Sequence, residues 1–279
     1  MLAVALSLGS SLVYGASDFL GGLKSRSLPL LSVLLISQAT ALAVVALSAV
    51  ALAHGPPSGE HIAYGVIAGV AEALAVAALY RGLAVGTMSI VAPVAACAPA
   101  FPVAAAAILG ELPGPVQSVG IALALAGIAL VSFESPGRAP ARPAGPSIAF
   151  GLAAALGFGV FLTAMDAASE GGVHWALLIA RVTTVTVFGA VFLARRRPLA
   201  IEPSQLPVIA LIGLLVLAAD ATYAIASTEG LLSVVAVLSS LYPVVTIGLA
   251  RVYLHERLRP LQQVGVAVTL LGALAISLA

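Results

Sequence analysis

The sequence predicts an all-α polytopic membrane protein, with ten transmembrane helices arranged as two inverted five-helix repeats. Three observations predict it: the scarcity of charge, the division of the chain into ten apolar stretches, and the recurrence of polar landmarks of one half in the other. Of 279 residues, 61% are hydrophobic and 8% charged, and mean hydropathy is +1.16. A soluble domain carries roughly 25% charged residues, because its surface is largely polar. Lipid is the solvent that tolerates a chain so poor in charge.

A spanning helix needs about 20 mainly apolar residues. The first such stretch, 2–22, follows directly on Met1 without the basic region that opens a cleaved signal peptide, so it is read as a retained helix. Stretches 29–53 and 61–81 are parted by His54-Gly55-Pro56-Pro57-Ser58-Gly59, and 87–109 and 115–133 by a break at Glu111-Leu112-Pro113-Gly114-Pro115. A polar linker, 134–146, rich in proline and arginine, follows. Stretches 147–168 and 173–194 come next, closed by Arg195-Arg196-Arg197-Pro198, and then 206–227, 231–253 and 260–278. The domain reading is therefore a first five-helix repeat over 1–133, the linker, and a second repeat over 147–279.

The halves share landmarks in one order. Tyr14-Gly15 matches Phe158-Gly159, Ser89 matches Ser233 and Pro99 matches Pro243, all at an offset of 144 (158 − 14). Glu111, Gln117, Gly120, Gly127 and Ser132 match Glu256, Gln262, Gly265, Gly272 and Ser277 at 145 (256 − 111). An odd number of spans per half makes the second half enter the membrane from the other side, the inverted construction common in secondary transporters. Loop charge alternates accordingly. Lys24 and Arg26, Arg81, Arg138 and Arg142, Arg195 to Arg197, and Arg257 and Arg259 follow the odd-numbered spans, while the loops after spans 2, 4, 6 and 8 carry no Lys or Arg. The positive-inside rule then places both termini outside the cytoplasm.

Several functions are excluded. A net charge of +1 offers no field for nucleic acid. One cysteine, Cys97, and four scattered histidines give no metal-ligand spacing, and no phosphate-binding loop is present, so neither metal nor cofactor nor ATP motor is expected. His174 and Asp166 lie near neighbouring helix ends, but no nucleophile motif accompanies them, so the chain is not read as an enzyme.

Charges at membrane depth persist when paired or functional. Glu72 lies midway along span 3 among alanines and is either a proton carrier or a hydrogen-bonded packing residue. Asp220 on span 8 and Arg181 on span 7 fall at similar depth, which predicts an ion pair; it is either a substrate site or a structural bridge. Tyr223 shares a face with Asp220. Ser7, Ser11, Tyr14 and Asp18 form a stripe on span 1, and Asp18, close to Lys24, reads as interfacial. Ser239, Tyr242 and Thr246 share a face of span 9 and read as inter-helix glue. Pro99 and Pro243 are hinge candidates at equivalent positions.

Tyr80-Arg81-Gly82-Leu83-Ala84-Val85-Gly86, Ser89-Ile90-Val91-Ala92-Pro93, Gly110-Glu111, Ser233-Val234-Val235-Ala236, Leu241-Tyr242-Pro243 and His255-Glu256-Arg257 resemble the drug/metabolite transporter superfamily, specifically ten-helix transporters with two EamA-type domains. The resemblance covers nearly the whole chain. It implies a multi-pass carrier of the cytoplasmic (cell) membrane, whose helices 3, 4, 8 and 9, with parts of 1, 2, 6 and 7, enclose a central cavity. Tyr14, Glu72, Arg181, Asp220 and Tyr242 then become lining residues. Four-helix relatives carry a proton-coupling glutamate in helix 1; the comparable place here is near Tyr14, which argues against quaternary-ammonium/proton exchange.

The resulting expectation is secondary active transport, with export favoured, of a small polar or amphipathic metabolite by alternating access. Tyr14, Glu72, Arg181, Asp220, Tyr223 and Tyr242 are the substrate-binding candidates, and Glu72 and Asp220 the proton-coupling candidates. A flippase for a lipid or lipid-linked sugar is the alternative. The expected partners are the small-molecule substrate, the bilayer and, as a further candidate, a second copy in a homodimer.

Overall fold

The computed structural model of the chain describes residues 2–52, 55, 57–98, 114–132, 144–196, 201–229, 235, 238–239, 241–255, 258 and 260–277. Among them are ten α-helices: α1 (Leu2–Lys24), α2 (Leu30–Leu52), α3 (Gly59–Val85), α4 (Met88–Ala95), α5 (Pro115–Ser132), α6 (Ala144–Ser169), α7 (Val173–Arg195), α8 (Leu206–Glu229), α9 (Tyr242–Tyr253) and α10 (Pro260–Ser277). A 3-10 turn, Pro203–Gln205, leads into α8. Among the described residues, six helical stretches are long and apolar enough to cross a membrane: Leu2–Lys24, Leu30–Ser48, Gly59–Val85, Ala144–Ser169, Val173–Arg195 and Pro203–Glu229.

Local chemistry sets several ends. Ser58 caps α3, its hydroxyl accepting from the His61 backbone N–H. Between α6 and α7 the chain reverses through Gly172, whose φ of 111° belongs to a region that side chains disfavour.

The helices are apolar outside and polar inside. On α3, Glu72 is 2% exposed while Leu74, two residues on, is 63% exposed. Leu47 and Leu193 face outward in the same way, whereas Gln38, Arg181 and Asp220 are buried. That distribution suits a hydrocarbon surround, where an exposed leucine costs nothing and a polar group needs a protein partner.

The main packing partners join residues 2–132 to residues 144–277. α5 packs on α10, α3 on α6 and α7, α1 on α8 and α9, α2 on α7 and α8, and α4 on α6 and α9. Exchanging each helix for the one five places along maps this set of pairs onto itself. Small residues allow the approach: a Cβ at Gly157 would lie 2.8 Å from Ala75 Cβ, and at Gly127 it would run into the backbone of Thr269 and the Gly265 carbonyl.

Polar contacts fix which helix ends lie together. Lys24 Nζ donates to Gln205 Oε1 (2.8 Å), Arg26 Nε to the Leu83 carbonyl (3.2 Å), and the Thr87 amide to Ser147 Oγ (3.1 Å). So α1 and α3 end at the face of the bundle where α4, α6 and α8 begin. His61, near the start of α3, sits against Gly171 in the α6–α7 turn at the other face.

Candidate functional site

Arg181 of α7 is the hub of a buried polar network. Its Nη1 donates to Glu72 Oε1 of α3 and to Gln38 Oε1 of α2, and its Nη2 is paired with Asp220 Oδ2 of α8. Thr184, one helical turn beyond Arg181, donates to Glu72 Oε2 (3.2 Å) and to the Gly69 carbonyl (2.9 Å). Tyr14 of α1 donates its hydroxyl to Asp220 Oδ1. The network thus ties α1, α2 and α3 to α7 and α8. The adjacency of α7 and α8 made the Arg181–Asp220 pair foreseeable. Glu72 as a second partner, and Gln38 and Thr184 as supporting groups, were not foreseen. The signal available was their polarity within apolar stretches, together with the helical spacing of Arg181 and Thr184.

Beside the network lies a cavity of about 50 Å³ lined by Tyr14, Asp18, Glu72, Tyr80, Asp220 and Tyr242, with Phe158, Phe161, Val76 and Val216 among its apolar walls. Of the substrate-binding candidates, Tyr14, Glu72, Asp220 and Tyr242 therefore share one space. Arg181 and Tyr223 do not line it; both are buried, 1% and 0% exposed. The face shared by Tyr223 and Asp220 turns far enough over three residues to carry the tyrosine into packing. Arg181 has two carboxylates and an amide around it. The basic group that a lipid headgroup would need at depth is thus already engaged.

Asp18 is not interfacial. It is 7% exposed and lines the cavity, because α1 is covered by α3, α8 and α9 up to its last turns. Thr246 is glue as its stripe suggests, donating to the Gly15 carbonyl (3.2 Å). Tyr242 stands edge-on to Tyr14, ring centroids 6.4 Å apart, so it belongs to the cavity wall as well as to the packing.

The cavity also meets two interruptions of the helical chain. α4 stops at Ala95 and passes through a turn at Ala96 to Ala98. In the second half a turn at Leu241 separates helical Leu238 and Ser239 from α9, whose first turn holds Pro243. Pro243 therefore sits where its missing N–H is harmless, not in a helix interior. Pro99 lies outside the described residues. Position 97 and Leu241 are 144 apart, so the breaks are equivalent in the repeat, and Ala95, Ala96, Ala98, Ser239 and Tyr242 beside them line the cavity. Gly15 lets α1 reach the second break: a Cβ there would be 2.5 Å from Val245 Cβ and 2.6 Å from the Tyr242 carbonyl.

Two larger clefts, of about 620 and 380 Å³, lie elsewhere, one among Ser89, Arg251 and His255 and the other among Ser48, His174 and Thr228. Neither contains a member of the network. Among the described residues no group of histidines, cysteines and acids is arranged to hold a metal.

The profile of the EamA-like transporter family matches residues 1–133 and 145–278. No curated protein matches the chain. Among solved structures, one described as "Crystal structure of protein" is similar over 97% of this chain and 95% of its own, with a TM-score of 0.65 and 18% identity. That likeness concerns the fold.

Proposed function

Because the chain belongs to the EamA-like transporter family, within the drug/metabolite transporter superfamily, and is thus a multi-pass membrane transporter and not an enzyme, we propose that it is a proton-coupled secondary transporter. On this reading it moves a small polar or amphipathic metabolite across the cytoplasmic membrane by alternating access. Ten spans form two inverted halves, with the basic loops on the cytoplasmic side and the solute leaving the cell.

The observation that carries this reading is the network around Arg181. Every one of its inter-helix links joins a helix of the first half to one of the second or closes on Arg181 itself, beside a cavity that both halves line. The symmetric pairing of helices, and α6 beginning at the face where α1 ends, support the inverted relation. Helix breaks at a cavity are where irregular backbone is tolerated in lipid, and where carriers of this architecture bind their cargo. The cavity has room for no more than a few water molecules, whereas ligand pockets run to roughly 300–1,000 Å³. Loading therefore requires the two halves to part, and the breaks at Ala96–Ala98 and Leu241 are the places where bending is cheapest.

Glu72 and Asp220 share one guanidinium. A proton taken by either carboxylate weakens its hold on Arg181 and loosens the link between halves, which couples protonation to opening. The test is flux into proteoliposomes with and without a pH gradient. Glu72→Gln is expected to keep the wild-type elution profile and to lose gradient-driven flux; unaltered coupled flux in that variant removes Glu72 from the mechanism.

A further inference from the structure

The cavity wall and the network beside it hold three carboxylates, Asp18, Glu72 and Asp220, and one guanidinium, Arg181. Arg181 is divided between Glu72 and Asp220. Asp18 has no hydrogen bond or ion pair with any described residue. More than nine-tenths of it is buried, and it lines the cavity. Two hydroxyls in the same wall, Tyr242 Oη and Ser239 Oγ, are buried without a hydrogen-bond partner. A buried carboxylate and two orphaned hydroxyls on residues that line one cavity are costly unless something completes them.

We propose that Asp18, with Tyr242 and Ser239, is the binding site for the ammonium group of an amphipathic primary amine. The inference rests on the transporter reading and adds the class of cargo to it. Three features select that class. The wall offers an unpaired carboxyl group with no spare cation, because Arg181 is engaged on both sides and does not line the cavity. An anion, or the carboxylate of a zwitterion, finds no counter-charge there. The Asp18 carboxylate only accepts, and the two hydroxyls can accept as well as donate; a primary ammonium brings three N–H donors to them where a quaternary one brings none. The remaining wall is aromatic and aliphatic: Phe158, Phe161, Tyr80, Val76 and Val216 suit an apolar body, and ring faces attract a cation as well.

The test compares four indole compounds of similar size on the purified full-length protein in lipid nanodiscs: tryptamine, its trimethylated quaternary form, tryptophol and indole-3-acetate. Calorimetric titration is expected to show binding of tryptamine, at least tenfold weaker binding of the quaternary compound, and none of the alcohol or the acid. Asp18→Asn is expected to weaken tryptamine at least tenfold while the elution profile and thermal midpoint stay at wild-type values. Should Asp18→Asn fail to fold, Tyr242→Phe and Ser239→Ala, each expected to weaken tryptamine several-fold, carry the comparison. Equal binding of alcohol and amine, preference for the acid, full affinity without the Asp18 charge, or no binding of tryptamine at its solubility limit overturns the proposal. Flux separates this from the transporter reading. Tryptamine that binds but is never carried removes transport of this cargo and leaves the site standing. Carriage of an anion or alcohol that is indifferent to Asp18→Asn removes the site and leaves the transporter.

Discussion

At Arg181 a single planar cation serves two carboxylates and an amide, which only a guanidinium's fork of donors does at once. Replacing it leaves Glu72 and Asp220 buried without the cation they share. Arg181→Met is expected to destabilise the protein by about 3–5 kcal/mol, seen as a lower thermal midpoint in detergent. Adding Glu72→Gln and Asp220→Asn to it is expected to recover most of that loss. A triple variant no more stable than the single one would mean that Arg181 acts through packing. Residue-scale chemistry was partly legible in the sequence. Glu72, Arg181 and Asp220 announced themselves as charges in apolar surroundings, and neighbouring helices run antiparallel, which matched the depths of two of them. The Glu72 contact joins α3 to α7, and no local rule says which distant helices touch. Asp18 misled for a related reason: nearness to Lys24 in sequence suggests water, but the neighbours that bury α1 to its end come from elsewhere in the chain.

Among the elements, α1 touches both the network, through Tyr14, and the break ahead of α9, through Gly15. Its approach depends on the missing side chain at Gly15. Gly15→Val is expected to push α1 from Tyr242 and Val245, abolishing flux and lowering the thermal midpoint. Gly9→Ala on the same helix, where nothing lies within 4 Å of a new Cβ, is expected to leave both unchanged. Equal tolerance at the two positions would show that α1 has room to shift. The positions of six long helices were readable because twenty apolar residues have few alternatives in lipid. The interruptions at Ala96–Ala98 and Leu241 were less so. Proline marked their neighbourhood, yet Pro243 begins a helix instead of bending one, and a proline at either place reads the same in sequence.

On the scale of the whole molecule, the two sets of helices interleave. α5 has α10 as its main partner, α3 packs on α6, and α1 on α8, so among the described residues the first set is held more by the second than by contacts of its own. Residues 1–133 expressed alone are expected to be degraded, while co-expression with 144–279 is expected to restore a folded complex that co-purifies; a stable, monodisperse first half on its own would contradict this. The repeat was legible in the sequence, but its interleaving was not, because equal offsets reveal duplication and say nothing of which copy's helix lies beside which. There is a consequence for biogenesis. While the ribosome is still making α7 and α8, Glu72 and Gln38 already sit in the membrane without Arg181, and α5 waits for α10, which follows α6 to α9 along the chain. Until α7 and α8 emerge, the polar groups of the first set must be screened from lipid by something other than their final partners, and a chain cut short before α7 is expected to be cleared faster than one whose early helices satisfy one another.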